Sequence, residues 1–144
     1  MGIRHDQAIR AVIVGDATIQ GYAPAQSDGR KSVFKDGAPP GSTMPYIIFG
    51  YQAGGRDNRF AGNHEDLYYF VKCVADNDAN GKLLAEQAAT AIEAAFHRPA
   101  SDPTLGESWI LRVCNVTGEI SYDETADDKT YHHAGRIIRL RGDK

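Results

Sequence analysis

A chain of 144 residues is the size of one domain and too short for a multidomain enzyme. Its 42% apolar and 24% charged residues describe a globular protein and disfavour both a disordered coil and a membrane protein. Sixteen basic against nineteen acidic side chains weigh against a duplex-binding surface, which needs clustered Lys and Arg to neutralise phosphates.

The first element in chain order is a short helix from about Asp6 to Val14. Ala8, Ile9, Val12 and Ile13 recur there at helical spacing, and Gly15 ends it. The stretch 21–44 is rich in Gly and Pro and has no periodicity, so it reads as a long loop that orders when a partner docks. Val33 and Phe34 are its main apolar residues. Tyr46 to Tyr51, behind Pro45, forms a first strand closed by Gly54 and Gly55. A polar connection from Arg56 to His64 leads to a second strand, Asp66 to Ala75. Leu67, Tyr69, Val71 and Cys73 share one face of it. The other face, Tyr68, Phe70, Lys72 and Val74, is too apolar for open water, so cover is expected on both sides.

Asn80 to Phe96 has high helix propensity, with Leu84, Ala88, Ala91, Ile92 and Ala95 on one stripe. His97, Arg98 and Pro99 terminate it. Trp109 to Val116 is a third strand, extending through Ile120 and Tyr122. After an acidic turn, Asp123 to Asp128, the segment Thr130 to Arg141 makes a fourth, with Ile138 and Leu140 inward and Arg139 and Arg141 outward. The expected fold is α+β in the order α-β-β-α-β-β. Its four-stranded, mainly antiparallel sheet of two hairpins carries both helices on one face, within a single domain spanning 1–144.

Motifs for chemistry are incomplete. Asp76, Asn77, Asp78 and Gly81 match the first half of a calcium loop, but the closing position 87 holds Gln87. The simpler reading is a strand-to-helix turn in which Asp78 caps the helix, with calcium as the alternative. His132 and His133 are neighbours in a strand, point to opposite faces and cannot share one zinc. No serine stands in a Gly-x-Ser-x-Gly elbow and no phosphate-binding loop is present. Cys73 and Cys114 read as buried thiols of a reducing compartment. No apolar run is long enough for a bilayer and no secretory signal is evident, so the expectation is a soluble protein made in the cytoplasm. Neither a catalytic group nor a cofactor or metal is expected.

Four features together resemble the tail-completion, or tail-terminator, proteins of long-tailed phages and related tail-like particles, including gene-transfer agents. They are the helix Ala8 to Val14, the strand start Met44-Pro45-Tyr46-Ile47-Ile48, the turn and alanine-rich helix from Asp76 to Phe96, and the final strand Tyr131 to Arg141 after Tyr122-Asp123-Glu124. The resemblance spans nearly the whole chain and lies in the order and spacing of patterns that are individually common. It implies a structural virion protein, not an enzyme. Such a protein forms a homo-oligomeric ring, usually a hexamer, caps the head-proximal end of the tail tube and offers a surface to the head-tail connector, DNA passing through the ring without sequence-specific binding. The residues expected at those contacts are Phe34, Arg56, Arg59, Phe60, Arg136 and Arg139, which pattern places on the outside although they are anchoring types. Arg136, Arg139, Arg141 and Lys144 read as the basic side of an edge strand. Another neck or minor tail component of similar fold is the alternative, and a small ligand-binding or hydrolytic α+β domain a more distant one.

Overall fold

The computed structural model describes residues 5–59, 62–97 and 110–143. Its elements in chain order are α1 (Asp6–Gly15), α2 (Ala17–Tyr22), β1 (Val33–Lys35), β2 (Tyr46–Arg59), β3 (Gly62–Asp76), α3 (Ala79–Phe96), β4 (Ile110–Ala126) and β5 (Lys129–Asp143). The strands make one five-stranded sheet in the order β1-β2-β3-β5-β4. β1 runs parallel to β2, and the remaining neighbours are antiparallel. The two expected hairpins are present, β2–β3 and β4–β5, joined by α3. The short strand β1 and a third helix, α2, were not expected.

Local chemistry explains the helices. Ile9 and Ile13, one turn apart on α1, are fully buried, each worth about 1.5–3 kcal/mol against exposure. Asp16 ends α1 and starts α2, its carboxylate accepting from the Ile19 N–H at 3.0 Å. Asp78 caps α3 in the same way, accepting from the Gly81 N–H at 2.6 Å. α3 buries Ala85, Ala88, Ala89, Ala91, Ile92 and Phe96, while Leu84 and Ala95 stand at the margin of that stripe. Its alanines allow close approach to the sheet, where bulkier groups would hold the helix off. Among the described residues no helix is long and apolar enough to cross a membrane.

Strand alternation sorts the side chains into two faces. Ile47, Phe49, Leu67, Tyr69, Val71, Cys73, Ile138 and Leu140 join the helix residues in the core. Cys73 and Cys114 are both buried there, and burial pushes the Cys73 thiol up to about 12, so it stays protonated and inert.

The loop expectation for 21–44 is corrected. Ala17–Tyr22 is helical, and Ala23, Gln26, Ser32 and Val33 are buried. Gln26 ties the segment together: its Nε2 donates to Ser32 Oγ at 2.8 Å and to the Thr43 carbonyl at 2.9 Å, and its Oε1 accepts from the Thr43 N–H at 2.7 Å. Ser32 in turn donates to the Pro24 carbonyl. These polar bonds do the ordering that apolar content would otherwise do. Gln26→Ala should therefore cost about 2 kcal/mol by orphaning buried partners, read as a lower urea midpoint with unchanged slope.

The first strand does not close at Gly54 and Gly55. A bulge between Tyr51 and Ala53 shifts the register, and pairing then continues to Arg59 opposite Gly62. Asp123 and Glu124 likewise lie inside β4 and not in a turn. The turn is Asp127-Asp128, both with positive φ, as a two-residue hairpin connection requires.

Candidate assembly interface

The expected contact residues separate. Arg136 is buried, not exposed: only 9% accessible, it bonds Glu93 of α3 at 3.2 Å through Nε and the Gly135 carbonyl at 2.9 Å through a terminal nitrogen. The strand that carries it is no edge either, because β5 lies between β3 and β4. Arg139 lies on the opposite face, its guanidinium bidentate on Asp66 at 2.9 and 2.8 Å. That pairing holds the Asp66 carboxyl below its ordinary range, burial opposing, and keeps Arg139 charged. Phe34 is half-buried and meets Tyr46 edge-on at 5.9 Å. Arg56 and Arg59 fall in β2 opposite Glu65 and Gly62, while Phe60 lies outside the described residues.

Phe34 and Arg139 share the face of the sheet turned away from the core, most of whose residues are not among the contacts expected from the sequence. Register aligns Ile48, Lys72, Gly135 and Ile120 in one row across it, and Gly50, Phe70, Ile137 and Gly118 in the next. Tyr46, Phe70, Ile120 and Ile137 are half-buried and Tyr122 is 43% exposed. Lys72 bridges the strip, donating to Tyr122 Oη at 2.7 Å with its ammonium 5.3 Å from the Phe70 ring centre and 5.2 Å from that of Tyr122. Alternation within Asp66 to Ala75 had signalled this second apolar face; how far it extends across β4 depends on pairing that no local pattern reveals. The arrangement offers aromatic anchors, a cation and glycine-floored gaps, which suits packing against protein.

The adjacent histidines point to opposite faces, as expected. His133 stacks on Tyr122, ring centres 4.4 Å apart and 8° from parallel, with Nε2 3.2 Å from Glu124. Burial, with the nearby Lys72 charge, holds its pKa below the ordinary 6.5. The unfolded chain then takes up a proton first as pH falls, so native stability drops below about pH 6.5. His133→Phe should shrink that limb of a thermal-melt profile recorded against pH, the buried His5, whose pKa burial also lowers, supplying part of what is left. His132 lies on the α3 side between two carboxylates, Asp123 and Glu86. Among the described residues no group of His, Cys, Asp and Glu is arranged to hold a metal.

Comparison with known proteins agrees with this architecture. A solved structure described as the virion of a native gene transfer agent particle contains a chain similar to this one, with a TM-score of 0.72 and 18% identity over 96% of this chain and 93% of that one. At that identity the likeness establishes the fold. No curated protein sequence matches. The profile of the family described as tail completion protein gp17 matches residues 7–137, from the first turn of α1 into β5. That span takes in every helix and most of the sheet, and the chain belongs to the tail completion protein gp17 family, a family of structural components of phage-type tails.

Proposed function

We propose that this protein forms a closed ring, six subunits in the simplest case, that caps the head-proximal end of a tail tube, stops its polymerisation and receives the head-tail connector. The match to the tail completion family over residues 7–137 carries the reading, and a full-length fold likeness to a chain of a gene transfer agent virion supports it. A ring needs one patch on each subunit that fits a different patch on the next. The outward sheet face around Phe70, Ile120, Ile137 and Tyr122 is proposed as one of them, with the neighbouring subunit as its occupant. Phe34 and Arg139 lie on that face and are retained as contacts. Arg56 and Arg59, in the last residues of β2, are proposed to reach the tube or connector, and Phe60 is retained with them as a proposed contact. Arg136 serves the fold through Glu93.

Depleting the protein from a producing host tests this role. Tails longer than normal, or normal tails that never join heads, support the proposal. Unchanged tail length together with normal joining contradicts it.

A further inference from the structure

We propose that His132 is a proton-operated latch that holds α3 against the β4–β5 hairpin only while its imidazole carries both protons. Its Nδ1 lies 2.7 Å from Asp123 Oδ1 on β4 and its Nε2 3.0 Å from Glu86 Oε1 on α3. Ionised carboxylates only accept, so both ring nitrogens have to donate, and an imidazole donates from both only as the cation. The ring is 9% exposed while Glu86 and Asp123 are 47% and 46% exposed, so water reaches the carboxylates far more readily than the imidazole between them.

Every element around the ring contributes to this balance. α3 supplies Glu86 and also Lys82, whose Nζ is 3.6 Å from Asp123 Oδ2. β4 supplies Asp123 and Ser121, which donates to Glu86 at 2.9 Å. On β5 itself Arg136 is engaged with Glu93, and His133 faces the other way. β3 presents Ala75 beside His132 and brings no charge. Burial of the imidazole opposes the cation, but the hydrogen bonds and charges of Asp123 and Glu86 outweigh it and raise His132 above the ordinary 6.5.

Loss of one proton turns a nitrogen lone pair toward a carboxylate oxygen at hydrogen-bond distance, on a ring that is itself shielded while both carboxylates are about half exposed. The seam between α3 and the hairpin then loosens, while Lys82 and Ser121 still link the two sides. The latch is closed below the folded-state midpoint of His132 and opens as pH rises through it.

Nitrogen-15 NMR of the histidine rings, titrated against pH on the whole protein, tests the latch together with amide exchange. Both His132 ring nitrogens should carry protons at pH 6, with a midpoint above 6.5. Amide protection factors over 80–89 and 119–124 should fall about tenfold in step with that titration. In an E86Q D123N variant, burial remains as the main influence and the midpoint should drop below 6.5. If that variant does not fold, E86Q alone should lower the midpoint partway. A singly protonated ring at pH 6, a midpoint that neither variant moves, or protection factors flat across the titration would each overturn the proposal.

Discussion

Replacing Gly135 with alanine is expected to cost about 3 kcal/mol or more, a large share of the stability of a domain this size. Gly135 sits in β5 between β3 and β4, paired with Lys72 on one side and Ile120 on the other. A Cβ there would fall 2.1 Å from the Val71 carbonyl oxygen and 2.5 Å from the Lys72 Cα. Both are backbone atoms of a central strand and cannot swing aside, so β5 has to leave its ladder with β3. Gly118→Ala is the control: its Cβ would meet the flexible tip of Ile137 at 3.2 Å, and a change within about 1 kcal/mol is expected. Urea midpoints of the two variants decide it. Equal midpoints would show that the sheet gives at Gly135 more easily than its packing indicates.

Ile120→Glu should separate folding from assembly. Ile120 is half-exposed, on an edge strand and on the outward face, so the free subunit should lose no more than about 1 kcal/mol. In the proposed ring the same position is buried against the next subunit. There a carboxylate without a partner costs several kcal/mol at each repeated contact, and closure should fail. A folded variant that caps tubes as the wild type does would take the outward face out of the interface.

Legibility in the sequence followed the range of the interactions. Asp78 reads as a cap because its partner, the Gly81 N–H, is three residues away. The paired faces of Leu67 to Cys73 and of Ile138 and Leu140 read correctly because alternation is intrinsic to a strand. β1 did not read, since three residues hold as a strand only through the pairing of Val33, Phe34 and Lys35 with Ile47, Ile48 and Phe49. The 21–44 segment was misjudged for a related reason: its order rests on polar bonds of Gln26 and Ser32, which carry no periodic signature. Arg136 was placed outside against the very alternation that put Ile138 and Leu140 inside. Its buried position follows from that alternation, and the partner that makes it tolerable, Glu93, comes from a helix 43 residues away. The outward apolar strip was half-legible: Tyr68 to Val74 announced it, whereas its continuation through Ile137 and Ile120 depends on strand order.

Whether the ring forms is decided by native mass spectrometry and electron microscopy of the protein mixed with purified tail tubes. Closed rings of six copies of the 15.7 kDa chain, about 94 kDa, are expected, seated at one end of each tube. Protein that stays monomeric at high concentration with tubes present, or that binds along the tube wall with no preference for an end, would contradict it.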